Sequence, residues 1–357
     1  PLWSRGLGDV YKRQVCGCGG GVIWGVRPGR LQVPQILIIV LETVLLRVFR
    51  IHMTYGSYMN SNCQSLAEKS VSQPVCIVGL GLIGGSLLRR LTAAGYPAFG
   101  WNRSASTVQQ AAADGMDVSG DLSATLQRAA RENALIVMAV PLFALRDIVS
   151  QIAAHAPQCP LTDVVSVKVE VLRIVQEAGL AATYVGSHPM AGTENSGWGA
   201  TDPALFENAT WVVMTGGADD VTARVRDIAV AAGSVVVETD PVSHDGAVAC
   251  ISHVPHLVAE ALSVAAVTES VGGGDTALRL SAGSFRDGTR VAGSAPALVR
   301  AMCEGNRDAV LPVLAETIGL LQQSYRELST EGTCETLVEA GYAAHQRYRT
   351  VMNELGR

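Results

Sequence analysis

The segment from Pro74 to Gly95 limits the fold more than any other stretch of the chain. Val75-Cys-Ile-Val78 is a short, apolar, largely β-branched run, the pattern of a strand buried on both faces of a parallel sheet. It runs directly into Gly79-Leu-Gly81-Leu82-Ile83-Gly84, and Ile83 to Ala94 then has helical character, ending at Gly95 with Pro97 just beyond. The three glycines have separate jobs. Gly79 makes the tight turn, Gly81 lets a pyrophosphate approach the backbone, and Gly84 lets helix and strand pack closely. The helix N-terminus, with Leu82 and Ile83 in its first turn, offers N–H groups and a positive dipole end to phosphates. Strand, glycine turn and helix in this order imply a dinucleotide site.

The alternation continues. Strand candidates are Ala98 to Trp101, Leu135 to Val140, Asp163 to Val165, Thr183 to Gly186, Trp211 to Met214 and Ser234 to Glu238, with helix-like stretches between several of them. This predicts an α/β fold whose N-terminal part, residues 74–240, is a Rossmann-like doubly wound sheet. After Pro241 the strands stop. Ser243 to Val267, Thr276 to Ala282, Ala297 to Glu304, Arg307 to Glu327 and His345 to Leu355 are Ala/Leu/Val-rich with helical periodicity. Residues 241–357 are therefore expected to form an all-helical substrate and dimerisation domain, apolar enough that some helix faces meet a second copy in a homodimer.

Residues 1–73 read differently and are expected to be a disordered or non-native upstream segment. The opening PLWSRGLGDVYKRQ resembles a translated adaptor scar, with the true start at Met53 or Met59. The apolar run Ile36 to Phe49 is interrupted by Glu42 and Arg47 and falls short of the roughly 20 residues that span a bilayer, so no membrane partner is expected. Ser61 to Gln73 reads as a short polar tail. A net charge of −5 over 357 residues gives no basic footprint for nucleic acid. The eight cysteines include no CxxC pair and most stand singly in apolar runs, which fits free thiols in a reducing cytoplasm better than disulfides or a metal site.

Ligands of open α/β sheets bind outside the carboxyl ends of the strands. At the end of the second strand, where NAD sites carry an acid for the ribose hydroxyls, this chain has Asn102-Arg103-Ser104. An amide removes the repulsion of a 2′-phosphate, a guanidinium pairs with it and a hydroxyl donates to it, so NADP is expected to be preferred over NAD. The other reading has Arg103 in solvent and Asn102 capping the turn, with NAD used as well or better. Ala139-Val140-Pro141 ends a further strand and turns the chain near the nicotinamide. Asp163-Val-Val-Ser166-Val-Lys168 and Thr183-Tyr-Val-Gly-Ser187-His188-Pro189 end two more, which brings Ser166 and His188 to one crevice.

The segments GLGLIGGS, AVP, SVK, SHPMAGTENSG, SHVPHL and FRDGTR, in this order from about Pro74 to Asn306, resemble the prephenate dehydrogenase family of tyrosine biosynthesis. SHPMAGTE is the most specific of them. The resemblance implies oxidative decarboxylation of prephenate or arogenate with a nicotinamide dinucleotide. Such chemistry needs a neutral base at the ring hydroxyl, a polar group to orient it, and a cation for a carboxylate. His188 is the expected base, since imidazole titrates near neutral pH. Ser166 is expected to orient the hydroxyl or His188. The resemblance puts Glu194 and His256 close to the substrate, and Arg290 matches the family's carboxylate-binding arginine, with Asp287 placed to hold it. His253 and His256 lie three apart, but Pro255 disturbs the helix and no metal is expected; His253 reads as structural. Where many relatives have Trp after the following Pro, this chain has Ala297-Leu-Val299-Arg300, and the length beyond it leads us to expect no C-terminal regulatory domain. A β-hydroxyacid dehydrogenase, a pyrroline-carboxylate reductase or a dinucleotide sensor without chemistry would not need His188, Ser166 and Arg290 together.

Overall fold

A computed structural model describes residues 73–193 and 195–355 of the chain. The expectations for the upstream segment through Val71 and Ser72, and for Glu194, lie outside the described residues.

The N-terminal half is a parallel sheet in the order β3-β2-β1-β4-β5. Its strands are β1 (Val75–Val78), β2 (Ala98–Trp101), β3 (Val118–Ser119), β4 (Leu135–Met138) and β5 (Leu161–Asp163). β1 lies at the centre, paired on both edges and buried at all four residues, which is why its sequence is apolar without alternation. The connecting helices are α1 (Leu82–Ala93), α2 (Ala105–Ala113), α3 (Leu122–Glu132), α4 (Leu142–His155) and α5 (Val169–Glu177). α3, α4 and α5 bury Leu126, Ile148, Ile152 and Ile174 on one face of the sheet. Leu87, Leu88 and Leu91 of α1 cover the other, together with Val225 and Ile228 of α6 (Asp219–Ala231). The chain crosses from β3 back to β4 beside β1, so the order reverses between β1 and β4 and a crevice opens there.

Three further strands form a second ribbon, β6 (Ser187–Pro189), β7 (Thr210–Met214) and β8 (Val235–Thr239). β7 and β8 are parallel, whereas β6 runs antiparallel to β7, with His188 opposite Val212. This differs from the expected pattern in two places. β5 ends at Asp163 and does not begin there, because the Asp163 carboxylate accepts the Val165 N–H (2.9 Å) and turns the chain out of the sheet. Thr183 to Gly186 is not a strand: Ala181–Thr183 is a 3₁₀ turn and Tyr184 makes a single bridge to Leu161 before β6 begins. His188 consequently sits within a short strand, not beyond the end of one. β3, two residues long, is too short to register as a sequence pattern.

From Pro241 onward all described residues in regular elements are helical. α7 (Pro241–Val248) starts from Asp240, whose carboxylate accepts the Ser243 N–H (2.9 Å), with Pro241 in the first turn. A π turn, Ala249–His253, joins it to α8 (Val254–Val267), and the Val254 N–H reaches back five residues to the Ala249 carbonyl. α9 (Asp275–Leu280), α10 (Gly283–Thr289), α11 (Pro296–Gly305), α12 (Arg307–Thr330) and α13 (Glu335–Glu354) follow. α10 was not anticipated, and α13 begins ten residues before the expected His345. The core of this half is small, centred on Ala249, Val254 and Val310, while Leu262, Leu280, Ile318, Tyr325 and Tyr342 are exposed.

The glycine loop binds the architecture together at one point. A Cβ on Gly84 would lie 2.0 Å from the Gly79 carbonyl oxygen and 2.8 Å from the Ala139 Cβ, whereas a Cβ on Gly81 would meet nothing within 4 Å. Gly84→Ala is therefore expected to lose about 1–3 kcal/mol, the usual cost of overpacking a fixed backbone. Gly81→Ala should melt close to the parent protein, since a poorer helix cap and a less flexible unfolded chain oppose each other. Thermal or urea unfolding of the two variants checks this; equal stabilities would show that the Gly84 contact is not tight.

Candidate active site

The crevice at the switch point is lined by the glycine loop. Gly79 has φ +105°, a left-handed conformation, and an added Cβ there would strike the Ala139 carbonyl at 2.4 Å and Val140 Cγ1 at 3.0 Å. The ends of β1 and β4 are thus in contact, and Val140 and Pro141, the residue preceding α4, lie at the same edge. Gly81 precedes α1 with open space where its Cβ would be, as a loop that receives a pyrophosphate requires. Leu82 and Ile83 are half-buried in the first turn of α1. Asn102 closes the loop from β2, its Oδ1 accepting the Leu80 N–H at 3.1 Å. Ser104 caps α2, accepting the Thr107 N–H at 3.3 Å, and Arg103 is exposed. An open cleft of about 670 Å³ beside Leu82 is bordered by Thr193, Asn195, Ser196 and Asp202.

A second, buried cluster surrounds His188. Asp163, at the end of β5, is fully buried and pairs with the equally buried ammonium of Lys168. Lys168 Nζ also donates to the Ser187 carbonyl (2.7 Å), the Tyr184 hydroxyl donates to Asp163 Oδ1 (2.7 Å), and the Ser187 hydroxyl donates to the Asp163 carbonyl (2.7 Å). These bonds lock β6 against the end of β5 and hold His188 in place. His188 Nδ1 lies 2.9 Å from Nε2 of His244 on α7, and His244 Nδ1 lies 2.7 Å from Asp245 Oδ1. Asp245 in turn accepts the Lys168 and Val169 N–H groups at the start of α5 (2.8 and 2.9 Å). Asn306 Nδ2 donates to the Asp245 carbonyl (2.7 Å) and to Nδ1 of buried His253 (3.1 Å).

The electrostatics favour a neutral imidazole. Burial holds His188 well below the usual histidine range, reinforced by the charge of Lys168 and by His244 and His253. Burial also lowers Lys168, against the pull of Asp163, and drives the Tyr184 hydroxyl far above its ordinary value. His253 is pushed down to about 4, mainly by burial.

The remaining expected residues are more dispersed. Ser166 is half-buried in the turn between Asp163 and Lys168, and its hydroxyl bonds to no described residue; the partner of His188 is His244. His256 is half-buried on α8, with Nδ1 2.8 Å from the Ser252 carbonyl and Nε2 3.4 Å from the Ser294 hydroxyl. Arg290 opens the 3₁₀ turn Arg290–Gly293, just before Ser294, and is exposed. Asp287 does not hold it, because the Asp287 carboxylate pairs with Arg286 (3.0 Å), its chain neighbour, on the exposed face of α10. Sequence reasoning missed His244, Asp245, Asn306 and the buried Asp163–Lys168 pair. The adjacent His244-Asp245 in the first turns of a helix was the one available signal.

A glycine cradle at the switch point of a parallel sheet, together with a half-buried neutral histidine held against the end of β5, defines a dinucleotide-dependent oxidoreductase. Residues 91–238 match the model of the prephenate dehydrogenase nucleotide-binding domain and residues 240–340 that of the prephenate dehydrogenase dimerisation domain. The chain is 31% identical over 258 residues to the cyclohexadienyl dehydrogenase of Zymomonas mobilis, covering 71% of this chain and 88% of that one. It is 32% identical over 252 residues to the prephenate dehydrogenase of Bacillus subtilis, covering 68% and 67%. A crystal structure from Corynebacterium glutamicum, provisionally named a prephenate dehydrogenase, superimposes with a TM-score of 0.74 at 45% identity, covering 78% of this chain and 90% of that one. The chain belongs to the prephenate dehydrogenase family.

The low value for His253 has a consequence for stability. A histidine in the unfolded chain titrates near 6.5, so between that value and about 4 the unfolded state binds the proton and the folded state does not. The stability that neutral His253 contributes is complete above about pH 6.5 and is lost as pH falls toward 4, by at most about 1.4 kcal/mol per pH unit. Wild type is therefore expected to lose more stability between pH 7 and pH 5 than His253→Gln. Parallel melting curves of the two proteins would contradict this.

Proposed function

We propose that this chain converts a cyclohexadienol, prephenate or its amino counterpart arogenate, to the corresponding phenol with loss of carbon dioxide. The observation that carries the reading is His188, a half-buried imidazole kept neutral and held within β6 against the end of β5. When bound, the oxidised nicotinamide supplies the acceptor for a hydride. His188 takes the proton of the ring hydroxyl as hydride leaves the same carbon. The electrons of the breaking carbon–carboxylate bond pass into the ring, which becomes aromatic, and the proton returns to the phenolate oxygen. Ser166, in the turn between the β5 end and Lys168, orients the hydroxyl. Arg290 and His256, linked through the Arg290–Ser294 segment, bind the substrate from the helical half, with Arg290 on a carboxylate. By the family resemblance alone, Glu194 is assigned to substrate binding.

The exposed apolar side chains of α8, α12 and α13, together with the match to a dimerisation domain, support a homodimer formed through the helical half. Pro241–Val267 is long and apolar enough to cross a membrane by length and composition. Its buried His244, Asp245 and His253, bonded to α5 and Asn306, support a packing role and a cytosolic enzyme. The decisive assay offers prephenate and L-arogenate separately, with NAD and with NADP, and follows the reduced cofactor. His188→Asn is expected to bind dinucleotide normally and to lower kcat by about 10²–10⁴, the usual contribution of a general base. No turnover of either substrate by wild type, or near-normal turnover by the variant, would overturn the reading.

NADP is the proposed preferred cofactor, with NAD the alternative. No carboxylate stands at the end of β2, and the exposed Arg103 is available for a 2′-phosphate. Asn102 contributes its NH₂, since its carbonyl oxygen is taken by Leu80, and Ser104 contributes a hydroxyl that also caps α2. The double variant Asn102→Asp, Arg103→Ile should shift the ratio of kcat/KM values toward NAD. A wild-type preference for NAD, or an unchanged ratio, would show that the phosphate is read elsewhere or not at all.

A further inference from the structure

We propose that His244 and Asp245 are positioning residues that fix which nitrogen of His188 carries the proton, leaving Nε2 as the free base for the substrate hydroxyl. The inference rests on the reading of His188 as that base. The argument runs outward from Asp245. Its carboxylate accepts two backbone N–H groups at the start of α5, at 2.8 and 2.9 Å, one on each oxygen, so both oxygens act as acceptors. An ionised carboxylate only accepts, so Nδ1 of His244, 2.7 Å away, carries a hydrogen. In a neutral ring the other nitrogen is then an acceptor. Nε2 of His244 lies 2.9 Å from Nδ1 of His188, so His188 donates from Nδ1 and its Nε2 holds the lone pair.

The other arrangement has His244 doubly protonated and donating to His188. That would put a second cation into a buried cluster that already holds the Lys168 ammonium. The titratable groups around His188 are Lys168 and Asp163 from the end of β5, Tyr184 from the segment before β6, His244 and Asp245 from α7, and His253 from the π turn. Within this set Asp245 is the one carboxylate bonded to the histidine chain, and it is reached through His244. When His188 takes a proton on Nε2, its Nδ1–H already points at His244 and, through it, at Asp245. The new charge is met by dipoles in place, without side-chain rearrangement. A carboxylate that orients a base histidine directly would serve the same end with one residue fewer; here the helical half supplies the carboxylate and an intervening imidazole bridges the gap.

Long-range imidazole ¹⁵N–¹H spectra of the ¹⁵N-labelled full chain test this, with the His188 signals identified by their loss in His188→Asn. Wild type at neutral pH is expected to show His188 protonated on Nδ1 and bare on Nε2. His244→Phe keeps a ring of similar size and removes both nitrogens. It should shift His188 to the Nε2–H form and lower kcat about 10–100-fold, the scale seen when the partner that orients a functional histidine is removed, with dinucleotide affinity unchanged. His244→Gln can present an amide oxygen near the position of Nε2 and should restore the Nδ1–H form and most of the turnover. A wild-type His188 protonated on Nε2, or wild-type kcat in His244→Phe, overturns the proposal. If His244→Phe does not fold, the wild-type spectrum and the glutamine variant decide. Normal turnover in His188→Asn would instead remove the base assignment itself, an outcome separate from any result at His244.

Discussion

The carboxylate of Asp245 is the contact on which the rest of the site depends. It belongs to the first helix after the sheet, yet two of its hydrogen bonds go to backbone N–H groups at the start of α5, in the sheet domain. A third goes to the His244 ring. Removing the carboxylate would leave two N–H groups at the start of α5 without their acceptor and the histidine pair without an anchor. Asn306 makes the arrangement stiffer, since its side-chain amide holds both the Asp245 carbonyl and the His253 ring. One residue thereby joins the domain that carries the dinucleotide cradle to the domain that carries His256 and Arg290.

Beneath that junction lies the Asp163–Lys168 pair. Both side chains are fully removed from water, a costly placement unless every donor and acceptor is satisfied. Here Tyr184 and the Val165 N–H join Lys168 on Asp163, and the Ser187 carbonyl is a second acceptor for Lys168. The result is a rigid polar corner where β5 stops and β6 begins. Its cation also disfavours protonation of the neighbouring imidazole, so the same residues shape the backbone and set the charge state of His188.

How much of this could be read from the sequence follows from how local each signal is. The glycine loop is contiguous, and each glycine has a backbone reason that does not depend on distant partners, so strand, turn and helix were legible together. The long helices were legible because their apolar residues repeat over many turns. β6 and β3 were not, being two or three residues long. Asp287 was placed beside Arg290 on spacing alone, and α10 instead turns it to Arg286. Lys168 stood inside a quoted segment without a role, because nothing local says that a lysine is buried. His244 went unread for a similar reason: its partner, His188, is 56 positions away. The order in which protons lie along such a chain exists only once the fold has closed.

The π turn at Ala249–His253 has a geometric consequence for the helical run it interrupts. An α-helix advances about 100° per residue, so one extra residue in a turn rotates everything downstream by that angle relative to everything upstream. The run Pro241–Val267 behaves as a rod with a phase step in it. Upstream of the step the helix addresses the sheet domain through His244 and Asp245; downstream it addresses the Arg290–Ser294 segment through His256. His244, upstream of the step, and His256, downstream of it, are dealt to different neighbours. A single element can face two different neighbours because its two halves are rotated against each other by about one residue's worth of turn.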